Sequence, residues 1–147
     1  MSEGEQLERR DVVTAFLRHA GKILLVRRST EVGTYQGHWA AISGYLEDPT
    51  PLQQARREVR EETSLSDADL RLSGVGPELL VPAPELKRCW VVHPFLFDIT
   101  DPERIRLDWE NTELRWVAPE AIRDYPTVPK LAEALDSCLE AERAGRA

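Results

Sequence analysis

A strand hairpin followed by a sharply defined helix start limits the architectures open to this chain. Residues 11–18 (DVVTAFLR) and 22–28 (KILLVRR) are rich in β-branched and aliphatic side chains. Turn-forming residues 19–21 separate them, so we expect a hairpin. Residues 29–38 contain two glycines and a threonine and are predicted to form a loop. The chain therefore enters an antiparallel sheet before any helix appears.

A threonine between two prolines starts the first predicted helix. Thr50 is a typical N-cap, and Pro51 at the first helical position needs no partner for an amide hydrogen. From Pro51 the helix is predicted to continue to about Ser64, because apolar residues recur there at helical spacing.

Later segments alternate between strand and helix patterns. Residues 70–81 predict one bent strand or two short ones, because two glycines and a proline interrupt them. Residues 89–99 (CWVVHPFLFDI) give the strongest strand signal, in which Pro94 indicates an edge or a bulge. Residues 113–117 predict a short strand, and the apolar spacing from Leu131 onward predicts a closing helix. This irregular interleaving favours a mixed α/β sandwich over a doubly wound parallel sheet.

The composition fits one small domain over residues 1–147, with residues 1–10 and 141–147 polar and expected to be flexible. Nineteen basic and 26 acidic side chains give a formal charge of −7, which argues against a nucleic-acid duplex as partner. A small phosphorylated ligand remains compatible, because a divalent metal can bridge it to acidic residues. No apolar run reaches the roughly 20 residues of a membrane span. Two separated cysteines indicate a reduced, cytoplasmic compartment.

Residues 57–62 (REVREE) concentrate carboxylates on the first predicted helix. At about 100° per residue, Glu58, Glu61 and Glu62 fall within an arc of roughly 100°. Carboxylates this close raise one another's pKa, and hard Mg²⁺ or Mn²⁺ ions relieve that repulsion with oxygen ligands. Alone, the segment is more typical of a solvated helix face with arginine–glutamate pairs.

The segment from Ser43 to Leu65 resembles the Nudix box, whose pattern is G-x5-E-x7-R-E-U-x-E-E-x-G-U, where U is an aliphatic residue. The second half matches closely at Arg57, Glu58, Val59, Glu61, Glu62 and Leu65. The opening hairpin and the late strand also resemble the family's layout. The resemblance implies an α/β/α sandwich with a mixed β-sheet and the activity of a Nudix-type pyrophosphohydrolase.

The first half of the box departs from the family pattern. The interval from the glycine turn to Arg57 is one residue short, and the glutamate expected before the helix is missing. Ser43 replaces the first glycine of the usual pair, and Ser64 replaces the closing glycine. In the family the missing glutamate mainly braces the loop against the box arginine, so we expect Glu47 or Asp48 to brace Arg57 here.

The resemblance assigns roles to the matching residues. Glu58, Glu61 and Glu62 are implied ligands of Mg²⁺ or Mn²⁺, with the Ser43 carbonyl as a further ligand, and Arg57 orients the box. Metal-activated water then attacks one phosphorus of a diphosphate linkage.

The family often adds a carboxylate from a later loop, and the acidic segment 107–113 lies where that loop is expected. Glu110 is therefore the predicted fourth ligand or general base, with Glu113 second. An acidic loop that merely faces water explains the same residues equally well.

Four further residues are candidates for substrate binding. Tyr35 and Trp109 can stack a base or ribose, although either can equally pack on the core. Arg27 and Arg28 can bind phosphate at the end of the second strand, where charged residues also serve solubility alone.

The predicted reaction is metal-dependent hydrolysis of a nucleoside diphosphate linked to another moiety: a nucleotide sugar such as ADP-ribose, a dinucleotide or a nucleoside triphosphate. The altered box motivates an alternative, a catalytically weak Nudix-fold module that senses a nucleotide. A prenyl-diphosphate isomerase shares the fold, but Cys89 has no clear partner for that chemistry. The expected partner is a small nucleotide, with neither duplex nor membrane, and a homodimer stays open.

Overall fold

The computed structural model describes residues 6–145. The flexibility predicted for residues 1–5 and 146–147 lies outside them. Within the predicted flexible ends, the first strand already begins at Glu8, because residues 8–10 pair with residues 88–90 of a neighbouring strand. At the other end the last helix continues to Arg143, and buried Ala141 anchors its final turn. Parts of both segments therefore belong to regular secondary structure, and their flexibility stays a prediction.

Residues 6–145 form eight strands and two helices, joined by loops and short 3₁₀ turns. The strands are β1 (Glu8–His19), β2 (Lys22–Arg28), β3 (Trp39–Ala40), β4 (Ile42–Tyr45), β5 (Leu70–Val75), β6 (Leu79–Ala83), β7 (Arg88–Ile99) and β8 (Asn111–Val117). The helices are α1 (Pro51–Thr63) and α2 (Leu131–Arg143). No helix among residues 6–145 combines the length and apolar character needed to cross a membrane.

The strands form one mixed sheet around the parallel pair β1 and β7. The other edge of β1 pairs antiparallel with β2 at residues 18–19 and with β4 at residues 12–15. Both β3 and β8 extend the sheet antiparallel to β2. The predicted hairpin and mixed sheet are therefore confirmed.

Pro94 lies in an interior strand, so the edge position offered for it was wrong. β7 has β1 on one side and, on the other, β6 along residues 88–92 and β5 along residues 95–99. Pro94 occupies the interval between these two partners, where a missing N–H interrupts no ladder, and its carbonyl accepts a hydrogen bond from Gly76 N. The segment predicted as one bent strand or two short ones is thus two strands.

Two hydrophobic layers flank the sheet, as an α/β/α sandwich requires. On one face, β1 residues Val13 and Leu17 pack in a cluster with Val59 of α1. On the other face, Phe16 packs in a cluster with Leu135 of α2. The period of two along β1 divides its apolar side chains between the two layers. The predicted α/β/α sandwich with a mixed β-sheet is confirmed.

A partly buried ion network fixes α2 against the sheet. The Arg18 guanidinium donates to Asp98 Oδ1 at 2.8 Å and Oδ2 at 2.9 Å, and to Glu142 Oε2 at 2.6 Å. These bonds link β1, β7 and α2, and Arg18 lowers the pKa of Asp98 to about 2.

The predicted start of α1 is confirmed in detail. Thr50 Oγ1 accepts from Gln53 N at 3.2 Å, and Gln53 Oε1 accepts from Thr50 N, which completes a capping box. At the other end Ser64 adopts a left-handed conformation (φ 69°), in the position where the family pattern has glycine.

Candidate active site

Three glutamates converge where α1 meets the loop before β8. Glu58 and Glu62 come from α1 and Glu110 from the loop, and each offers a carboxylate oxygen within 4.8 Å of the others. Glu58 and Glu62 are 9% and 2% exposed, while Glu110 is half-buried. Helical spacing of four residues puts the first two on one face.

A β-bulge helps to bring Glu110 to this position. Between Arg27 and Arg28 the register of β2 against β8 shifts, so that Arg28 lies opposite Asn111. Ser29 N then donates to the Glu110 carbonyl at 2.8 Å, which fixes the loop backbone. Bulges commonly re-aim side chains beside functional sites, and this one directs a loop carboxylate toward α1.

Glu62 is held at one oxygen and unpaired at the other. Asn111 Nδ2 donates to Glu62 Oε1 at 3.0 Å. Glu62 Oε2 is buried and has no hydrogen-bond partner among residues 6–145. Burial raises the pKa of Glu62 well above its usual range, and the charges of Glu110 and Glu58 raise it further. Burial is also the main cause of the raised pKa of Glu58 and of Glu110.

These residues fit a hard divalent cation. The donors are all carboxylate oxygens, the type that Mg²⁺ and Mn²⁺ prefer. The buried, unpaired oxygen of Glu62 is costly without a partner, and its carboxylate lies close to two others. Gly44 gives Glu58 its place, because a Cβ there would lie 2.2 Å from the Glu58 carboxyl carbon.

Glu58, Glu61 and Glu110 line a cavity of about 400 Å³, and Glu62 is buried beside Glu58 and Glu110. The other end of the cavity lies between the sheet and the start of α2, where the wall is apolar and aromatic and includes Val81, Trp90 and Leu131. The Tyr35 hydroxyl accepts a hydrogen bond from Trp90 Nε1 at 3.1 Å, which fixes an aromatic pair at this wall. The cavity thus joins an acidic end to an apolar end.

Most of the predicted site residues line this cavity. Ser43, Glu61 and Tyr35 do so, and Trp109 lies at the cavity's edge with 63% of its surface exposed.

Arg28 also lines the cavity, and its guanidinium donates to the Thr34 carbonyl at 3.0 Å. Burial lowers the pKa of Arg28, although a guanidinium stays charged at neutral pH. Glu61 is exposed and lies outside the trio of converging carboxylates.

Arg57 and Arg27 do not line the cavity. Arg57 Nη2 contacts Asp48 Oδ1 at 2.6 Å, so Asp48, one of the two residues expected to brace it, makes that contact. Arg27 is occupied by Glu113 Oε1 at 3.0 Å and by the Gly37 carbonyl at 3.2 Å. The predicted contact between Arg27 and a substrate therefore has no support in the structure, because both partners of Arg27 lie outside the cavity.

Two amide side chains hold the glutamates, and neither was predicted from the sequence. Gln54 contacts Glu58, and Asn111 contacts Glu62. The spacing of four residues between Gln54 and Glu58 was a usable signal, since such pairs share a helix face. Trp90 was also missed, because it belongs to the strand with the strongest core pattern. Cys89, considered for isomerase chemistry, does not line the cavity.

Comparison with known proteins places this arrangement in a family. A sequence model of the NUDIX domain matches residues 8–138. A search of the curated proteins found no match.

Three solved structures illustrate the shared fold. A NUDIX hydrolase from Nitrosomonas europaea has a TM-score of 0.71 at 23% identity, covering 95% of this chain and 91% of that chain. An Ap4A hydrolase from C. elegans, solved as a binary complex, has a TM-score of 0.71 at 19% identity, with coverages of 95% and 99%. The NUDIX domain of Shewanella oneidensis NrtR, solved with ADP ribose, has a TM-score of 0.67 at 13% identity, with coverages of 95% and 92%.

The family match spans most of the chain, and the structural neighbours share its fold. The prediction of a Nudix-type hydrolase is confirmed at the level of the family. The capped helix with its glutamates and the mixed sheet that supports it thus have one explanation: this chain belongs to the Nudix family.

Proposed function

We propose that this protein hydrolyses a diphosphate linkage in a nucleoside diphosphate joined to another moiety, with Mg²⁺ or Mn²⁺ as cofactor. The observation that carries the proposal is the convergence of Glu58, Glu62 and Glu110, of which Glu58 and Glu110 line the cavity, with a buried oxygen of Glu62 left unpaired. Such a site has negative charge in excess and needs a cation before it can accept an anionic substrate.

Different residues of the proposed site bind the cation and the phosphate. Glu58, Glu62 and Glu110 hold the cation, and Glu61 lines the same space as a further candidate ligand. Bound there, Mg²⁺ or Mn²⁺ polarises phosphoryl oxygens and acidifies a water molecule. Arg28 adds a half-buried positive charge to the wall, suited to phosphate.

The apolar end suits a nucleoside. Tyr35 and Trp90 present aromatic surface that a base can contact, and their hydrogen bond holds both rings in place. A cavity of about 400 Å³ lies within the usual range for small-molecule sites. The names of two structural neighbours, an Ap4A hydrolase and a domain solved with ADP ribose, support nucleotides with a diphosphate linkage.

A nucleotide panel tests the proposal. Purified protein is incubated with ADP-ribose, Ap4A or ATP, with Mg²⁺, with Mn²⁺ or with EDTA, and products are separated by ion-exchange chromatography. We expect metal-dependent turnover of at least one compound, loss of turnover in Glu62→Gln, and normal turnover in Glu103→Gln. Glu103 is exposed and does not line the cavity, so the control carries the same chemical change elsewhere.

A nucleotide-sensing module is the second candidate, favoured by the residues that depart from the Nudix box. Ser43 and Ser64 replace two glycines, and Pro49 lies in the segment where the pattern has glutamate. Tight nucleotide binding with no product under any metal supports this alternative over the hydrolase. The cytoplasmic location and the homodimer stay predictions from the sequence.

A further inference from the structure

Gln54 is a fully buried polar side chain near the start of α1. It is 0% exposed, and its neighbours in the packed layer are apolar residues such as Ala55 and Val59. Burying an amide is costly unless its polar atoms are paired. An apolar residue could fill this position without that requirement, so the contacts of Gln54 need an explanation.

Gln54 forms hydrogen bonds with two kinds of partner, backbone N–H groups and a carboxylate. Its Oε1 accepts from the backbone N–H groups of Glu47 at 2.8 Å and Asp48 at 2.7 Å. Its Nε2 donates to Glu58 Oε2 at 2.7 Å. One side chain therefore ties the loop before α1 to a carboxylate of the trio.

The same loop is where this chain departs from the Nudix box. The family pattern has a glutamate in the segment that here reads Asp48-Pro49-Thr50. Asp48 supplies the contact to Arg57 at 2.6 Å, but it does not reach Glu58. The loop N–H groups and the Glu58 carboxylate are instead joined from inside the helix, by Gln54.

We propose that Gln54 is a positioning residue that holds Glu58 for cation binding and ties it to the loop before α1. The inference rests on the proposed function. By donating to Oε2, Gln54 restricts the rotation of the Glu58 carboxylate and leaves Oε1 without a bond to Gln54. Gly44 clears the space on the other side, since even a methyl group there would collide with this carboxylate.

The test compares Gln54→Met with Gln53→Met. Methionine is close to glutamine in length but cannot make the three hydrogen bonds. Gln53 is exposed and completes the capping box with Thr50, so its variant perturbs the same helix without touching Glu58. The readouts are Mn²⁺ affinity by electron paramagnetic resonance and amide hydrogen exchange in metal-free protein. Neither requires turnover.

We expect Gln54→Met to weaken Mn²⁺ binding by about 10- to 100-fold, the usual effect of removing a partner of a metal ligand. We also expect the amides of Glu47 and Asp48 to exchange about tenfold faster. Gln53→Met should keep wild-type Mn²⁺ affinity although it lowers helix stability.

Two outcomes overturn the inference alone and leave the proposed function standing. Equal Mn²⁺ affinity in Gln54→Met and wild type refutes the role toward Glu58. Equal losses in both variants show general destabilisation, which also refutes it. A wild-type protein that binds no Mn²⁺ contradicts the proposed function itself and overturns the inference with it.

Discussion

Replacing Glu62 by glutamine should stabilise the metal-free protein. Glutamine has the same shape, and its amide oxygen can still accept from Asn111 Nδ2, which lies 3.0 Å from Glu62 Oε1. Its NH₂ group takes the place of Oε2, which is buried without a partner in the described chain. The variant therefore replaces repulsion toward Glu58 and Glu110 with hydrogen-bond donation.

The size of the effect follows from the spacing of the charges. At an effective dielectric constant of about 20, two unit charges 4.8 Å apart, the upper limit of these separations, repel by about 3.5 kcal/mol. The cost to the wild type is limited, because Glu62 can keep its proton instead. From an unfolded pKa of about 4.3, keeping the proton at pH 7 costs about 3.7 kcal/mol. We expect the variant to gain about 1–3 kcal/mol, or about 2–4 °C in Tm for each kcal/mol.

The pH dependence of the stability difference between Glu62→Gln and wild type tests whether the charge of Glu62 is its cause. The pKa of Glu62 is raised in the folded state, so its carboxyl favours folding below the unfolded pKa, and this contribution is lost as pH rises through the folded pKa. The advantage of glutamine should therefore be large near pH 7 and shrink toward pH 4. Urea unfolding in EDTA at several pH values measures it.

The matched control is Glu61→Gln, which removes an exposed charge from the same helix. Its effect should stay within about 0.5 kcal/mol, as for other surface substitutions. A Glu62→Gln variant no more stable than wild type in EDTA at pH 7 would refute the assignment of repulsion to this site.

Three other substitutions test separate parts of the structure. Gly44→Ala should weaken Mn²⁺ binding at least about tenfold in calorimetry, because its Cβ displaces the Glu58 carboxylate; unchanged affinity would contradict the packing described. Asn111→Leu leaves Oε1 of Glu62 unpaired and should cost about 1–3 kcal/mol in urea unfolding of metal-free protein; no loss would show that this bond is dispensable. Asp98→Asn should cost about 1–2 kcal/mol at pH 7, allowing for solvent screening of its arginine pair. Because the folded pKa of Asp98 is about 2, that cost should fade as pH drops from 4 toward 2; a pH-independent cost would count against the ion pair.

The sequence carried enough information for the fold and for the core of the candidate site. Three of the features are local patterns: the period-two alternation in β1, the capped start of α1 and the spacing of Glu58 and Glu62. Such patterns can be read from the sequence because they do not depend on contacts between distant parts of the chain. Glu110 was reached by resemblance to the family, since an acidic loop alone says nothing about where it folds.

What the sequence could not supply depends on contacts distant along the chain. Helical spacing places Glu58, Glu61 and Glu62 on one arc of α1, but it does not show which side of that arc faces the sheet. In the folded protein Glu61 is the exposed one of the three. The bulge that aligns Arg28 with Asn111 depends on strand register. Gln54 looked like an ordinary polar residue near a helix start, because its partners lie in a preceding loop and one turn ahead.

The central claim is that Glu58, Glu62 and Glu110 together bind a divalent cation. A crystal grown or soaked in MnCl₂, with anomalous diffraction recorded at the manganese edge, tests it most directly. We expect an anomalous peak from a manganese ion that is bound by carboxylate oxygens of all three residues. A well-ordered crystal with no manganese at that place, and with the three carboxylates turned apart, would contradict it.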